Sequence, residues 1–128
     1  MRSSGLGDGS SSKVRVLWAG VDPPDPPPAA LDVVCEPSVA VAARLAQTEP
    51  FDAVVVDGGD PASVSAVLAA AASNDRVRRR LVASTYTQLP GLVRDVDARL
   101  IERVLAKPVS RAQLAHAVID ADPSESVI

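Results

Sequence analysis

Three polar side chains stand where apolar runs end. Asp57 follows Val54-Val55-Val56, Thr85 follows Leu81-Val82-Ala83-Ser84, and Lys107 follows Arg103 to Ala106. In an open α/β sheet, the loops just past the carboxyl ends of the strands are where ligands and chemistry collect. A carboxylate and an ammonium at such an edge can form a charge-assisted pair, with the acid also capping loop N–H groups. The Thr85 hydroxyl can satisfy a strand end. Gly58 and Gly59 read as turn formers, because no lysine-serine P-loop pattern follows them. Asp60 reads as an N-cap or turn residue before Pro61. A single His116 and a single Cys35 cannot supply a zinc site. No general base lies beside a nucleophile, so an enzyme of another type is not expected.

The elements that must position these groups follow from the order of apolar runs and breakers. Val14 to Ala19 predicts a first strand and Leu31 to Cys35 a second. Between them lies Val21-Asp22-Pro23-Pro24-Asp25-Pro26-Pro27-Pro28, which cannot form an α-helix, since proline rings clash and remove N–H donors. An extended polyproline segment is expected, advancing about 3.1 Å per residue, long enough to return along a short strand. Ser38 is placed to cap a helix over Val39 to Gln47. The Asp57 strand comes next, and its β-branched run suits a strand buried on both faces. An alanine-rich helix spans Val64 to Ala72. Arg76 to Arg80 lead into the strand Leu81 to Thr85. Pro90 opens a helix over Leu92 to Leu100, Arg103 to Ala106 is a fifth strand, and Ser110 caps a helix over Arg111 to Ala121 with Leu114, Val118 and Ala121 on one face. This alternation argues a doubly wound, five-stranded parallel sheet in one α/β domain over 13–121, with tails at 1–12 and 122–128.

Composition excludes several roles. The chain has 128 residues, 47% of them hydrophobic, which suits one globular domain with one core. A net charge of −3 and 2% aromatic residues give no electrostatic or stacking basis for binding nucleic acid. No apolar run approaches a membrane span. One unpaired cysteine and no recognisable signal peptide point to the cytoplasm. Cys35, at the end of a buried strand, is expected to be a small core hydrophobe. Trp18 is expected to fill space above the first strand or to plug the site. Arg76, Arg78, Arg79 and Arg80 form a basic cluster that reads as a solvated edge loop, with an acidic partner surface as the sharper alternative.

From Lys13 to Ala121 the chain resembles the receiver domain of bacterial two-component response regulators, the CheY-like module. The match rests on Val54-Val55-Val56-Asp57 with Pro61 in a D-x-x-x-P turn, on Thr85 closing the fourth strand, and on Lys107-Pro108 closing the fifth. The resemblance implies a flavodoxin-like sheet of order 2-1-3-4-5. It implies that Asp57 is the phospho-acceptor candidate, that Thr85 and Lys107 contact the phosphoryl oxygens, and that Lys107-Pro108 is often a cis peptide. Transfer from a partner kinase's histidine would need a divalent cation.

The sequence departs from that family in three places. The acidic pair expected at the end of the first strand is replaced by Trp18-Ala19-Gly20-Val21. With Asp57 the sole charged ligand, and Asp22 the nearest other acid, Mg²⁺ would be held poorly. The aromatic switch residue is replaced by Val104, and the proline run displaces the first helix. These losses imply a degenerate pseudo-receiver that takes part in phosphorelay-type signalling by protein–protein contact and needs no cofactor. The alternative is a phosphorylatable regulator that accepts a phosphoryl group on Asp57 with Mg²⁺, with Asp22 or waters standing in. A flavin or nucleotide binder is disfavoured by short loops and few aromatics. The expected partner is a histidine kinase, an output protein or a second copy. The surfaces expected to meet it are the region from Leu92 to Lys107, including Leu100 and Val104, and the sheet face near Leu114 and Val118, which the lost helix should leave thinly covered.

Overall fold

The computed structural model describes residues 13–120. The predicted tails at 1–12 and 122–128, together with Ala121, lie outside the described residues. Five strands, β1 (Val14–Ala19), β2 (Leu31–Glu36), β3 (Ala53–Asp57), β4 (Arg79–Ser84) and β5 (Arg103–Ala106), form one sheet of order β2-β1-β3-β4-β5. Every pairing is parallel. The result is a doubly wound, flavodoxin-like α/β arrangement. Parallel strands covered on both faces need continuous apolar runs, and Ala53, Val54, Val55 and Val56 of the central β3 are all buried.

Four helices follow β2, β3, β4 and β5 in turn: α1 (Val39–Thr48), α2 (Pro61–Ala72), α3 (Leu89–Asp95) and α4 (Arg111–Ala115). The Ser38 side chain accepts from Val41 N and so caps α1. Pro61 occupies the first turn of α2, where its missing N–H costs nothing. Val64, Val67, Leu68 and Ala71 form the buried stripe of that helix at helical spacing. Ser110 caps α4 through a reciprocal capping box with Gln113.

Two predicted helices end early. The helix expected over Leu92 to Leu100 stops when Val96 turns extended (φ −110°, ψ 136°) and buries its side chain. Asp97 then caps a separate 3₁₀ turn, Ala98–Leu100. Past Ala115, α4 widens into π-type turns over His116–Asp120.

No helix joins β1 to β2. The proline run makes the crossover and bends at Asp25 and Pro26, so it is not one straight polyproline rod; the Asp25-Pro26 peptide is cis. Pro28 is buried, and its carbonyl accepts from Leu31 N as β2 begins.

The helices divide unequally over the sheet. α1, α2 and α3 lie on one face, where Leu17, Val54, Val56 and Val82 meet Ala42, Ala46, Leu68 and Leu92. On the other face, α4 and the turns after it bury Leu114, Ala117 and Val118 against Val16, Trp18, Leu31, Val55 and Leu81. Leu114 is 0% exposed and Val118 7%. Neither is therefore available as the docking surface expected of them. Trp18, 1% exposed, fills space above the first strand and packs with Leu114 and Val118. The thin cover lies further out, at the β2 edge, where Val33 is half-buried and Cys35 exposed. Cys35 is thus not a core side chain. It lies in register with Trp18 on the α4 face, at the β2 edge where the cover is thin.

Candidate functional site

Asp57 ends β3 at the carboxyl edge of the sheet, opposite Ala83 in the ladder. Lys107 follows β5, its N–H bound to the Ser84 carbonyl, and a cis peptide joins it to Pro108 as the resemblance implied. The bond to Ser84 seats the lysine beside β4, and its side chain reaches across that strand. Its Nζ donates to Asp57 Oδ1 at 2.6 Å. The side chains are 28% and 11% exposed, so the pair is partly shielded from water and is stronger than a surface ion pair.

Thr85 lies one residue beyond β4. Its Oγ1 accepts from Gln88 N and lies 3.0 Å from Thr87 Oγ1. Thr85 and Lys107 line one cleft of about 230 Å³ together with Ser84, Tyr86, Leu89, Val104 and Ala106. Val104 is 39% exposed and Tyr86, the only tyrosine, 88%. Leu100 is half-buried and packs against the three-helix core. Lys107 thus forms part of this cleft while its ammonium reaches the acid next door.

Asp57 faces a second crevice of about 260 Å³ at the β1–β3 switch point, with walls from Gly20, Val21, Glu36, Val39, Asp60 and Val67 among others. The other carboxylates there are engaged locally. Glu36 accepts from Ser38 N and Asp60 from the Ser63 hydroxyl. Among the described residues, no three metal-ligating side chains converge. Asp22 is not brought to Asp57. It sits at φ +59° and lines a separate groove with Pro23, Pro24, Asp25, Pro27, Val33 and Cys35.

Gly20 is the residue that the sequence reading missed. It stands at φ +144°, and a Cβ built on it would lie 2.4 Å from Asp57 Cβ. The turn after β1 therefore runs directly against the acid, and only glycine allows that approach. Two side chains hold the turn from behind. The Trp18 indole donates to the Val21 carbonyl at 3.0 Å, and the Cys35 thiol donates to the Gly20 carbonyl at 3.3 Å. Gly58 is also packed close, because a Cβ there would meet Leu92 Cδ1 at 2.8 Å. Partial burial pushes the Cys35 thiol above the ordinary cysteine range, and the Glu36 and Asp22 charges add to that shift. A glycine beside an aspartate is visible in the sequence only once the β1–β3 register is known.

No protein-family model matches the chain, and no curated protein matches it. Among the described residues, no helix is long and apolar enough to cross a membrane.

Proposed function

We propose that the chain is a receiver-like signalling module of the two-component type that acts by protein–protein contact, without Mg-dependent phosphorylation of Asp57. The observation that supports this reading best is the Asp57–Lys107 pair, closed at 2.6 Å beside a β1 end that contributes Gly20 and Val21 instead of carboxylates. A phosphoryl group arriving at Asp57 needs a divalent cation to offset its charge. A hard cation needs several oxygen ligands, and the local acids are dispersed. A Gly20→Asp change would not restore the site, because its Cβ would strike Asp57. Lys107 alone balances the acid, and the pair serves as a fixed link between β3 and β5.

In this reading the module is a binding protein of the cytoplasm, as its single free cysteine suggests, rather than an enzyme. Its partner is a histidine kinase, an output protein or a second copy. The cleft beside Tyr86 and Val104 is the contact region nearest the ion pair.

The test is an amide NMR titration with Mg²⁺ and then beryllofluoride, a phosphoryl mimic that requires the metal. The expected result is no saturable shift at Asp57, Thr85 or Lys107 at millimolar Mg²⁺. Metal-dependent shifts at these three residues that spread into α3 would overturn the proposal in favour of a phosphorylatable regulator.

A further inference from the structure

The arginine run 76–80 does not act as one basic loop. Arg79 is tied to Glu102 at 2.6 Å, and Arg80 donates to the Leu100 and Arg99 carbonyls. Those two hold the turn before β5. Arg78 has no such tie. Its exposed side chain lines a cavity of about 330 Å³ at the amino-terminal edge of the sheet, the opposite end from Asp57, together with Lys13, Val14, Asp52, Arg79, Val118 and Ile119. Neither Lys13 nor Arg78 has a side-chain partner among the described residues. Among the described residues Asp52 is the one acid in the wall, and its Oδ2 accepts from Arg15 N at 2.9 Å. Two cations without an ion pair of their own, Lys13 and Arg78, thus face one carboxylate beside Val14, Val118 and Ile119.

Three backbone donors of the wall are already satisfied. The N–H groups of Val14, Arg78 and Arg79 are bound to the carbonyls of Ala30 and Asp52. Recognition therefore falls mainly to side chains. Guanidinium and ammonium groups select oxyanions, while Val14, Val118 and Ile119 offer contact to something apolar. The volume is that of a small-molecule site.

We propose that this cavity binds a small organic oxyanion, with its charged group held by Lys13 and Arg78 and its apolar body resting on Val14, Val118 and Ile119. The site is independent of the Asp57 crevice and of the function proposed for it.

Phenyl phosphate, benzoate and inorganic phosphate, titrated at constant ionic strength and followed by amide NMR of the full chain, test this. Saturable shifts at Val14, Arg78 and Ile119 are expected with phenyl phosphate or benzoate, and the stronger of the two identifies the headgroup. Inorganic phosphate should bind several-fold more weakly. Arg78→Ala and Lys13→Ala should each weaken binding by about five- to tenfold, the loss of one charge-assisted contact. Arg76→Ala, in the same basic run but outside the cavity, should leave binding unchanged. No saturation with either aromatic probe, equal binding of inorganic phosphate, or an equal loss in Arg76→Ala would each overturn the proposal.

Discussion

On one face of the sheet, α1, α2 and α3 bury the strands with small and branched side chains, many of them alanines from the helices. On the other face, α4 and its following turns stand alone, the proline run replaces a helix, and one strand residue, Trp18, supplies the bulk. Both faces exclude water over the central strands. The first face does so by layering elements, so that its cost of ordering is spread over three helices. The second relies on a few large contacts, and its cover fails at the β2 edge, where Val33 and Cys35 emerge. A side chain can fill the volume left by a helix at the centre of a sheet, but not along its margin.

The contrast breaks most visibly at Trp18. Trp18→Ala is expected to cost about 4 kcal/mol, because no neighbouring element can close over the cavity. Leu68→Ala, equally buried in α2, should cost about 3 kcal/mol, because the helix layer can partly collapse. Urea unfolding of both variants measures this, and a Trp18 cost no larger than that of Leu68 would mean that the faces are equally robust.

A finer probe compares caps. Ser110→Ala removes both halves of a capping box from the one α-helix on its face among the described residues and should cost about 1 kcal/mol. Ser38→Ala removes one 3.4 Å bond from α1, which α2 also supports, and should cost about half as much. Equal losses of stability in the two variants would remove the distinction.

The smallest effect lies at the margin. The Cys35 thiol is exposed, yet partial burial and the charges of Glu36 and Asp22 hold its pKa above that of the unfolded chain. Alkylation at pH 8 should therefore be slower in the folded protein than in urea, with the gap closing as pH rises through the folded value. By linkage, the thiol contributes stability that is present below the unfolded pKa and lost as pH rises through the folded one. Faster alkylation in the folded state would place Cys35 in an electropositive setting and contradict the description of this edge.

The central architecture was legible because β3 and α2 carry single, strong patterns: a β-branched run ending in an acid, and an alanine-rich stretch opened by proline. The Asp57–Lys107 contact was also legible, since both residues close parallel strands and so share an edge. What escaped were features decided by tertiary contact. The periodicity of Leu92 to Leu100 is helical, yet Val96 leaves the helix to bury its side chain. Cys35 ends an apolar run and so looks like a core residue, yet it is exposed on the edge strand β2. Leu114 and Val118 look thinly covered when helices are counted, yet they are buried against Val16, Trp18, Leu31, Val55 and Leu81. The approach of Gly20 to Asp57 depends on register, which no local run of residues encodes.

Trp18 also makes the protein its own instrument. It is the sole tryptophan, sealed in the interior, with its indole N–H resting on the carbonyl of Val21, in the same turn that carries Gly20 against Asp57. Emission from this one chromophore therefore reports on the turn without any label. An occupant of the crevice that displaces Gly20 and Val21 would change the polarity and hydrogen bonding of the indole, and with them the colour of its light.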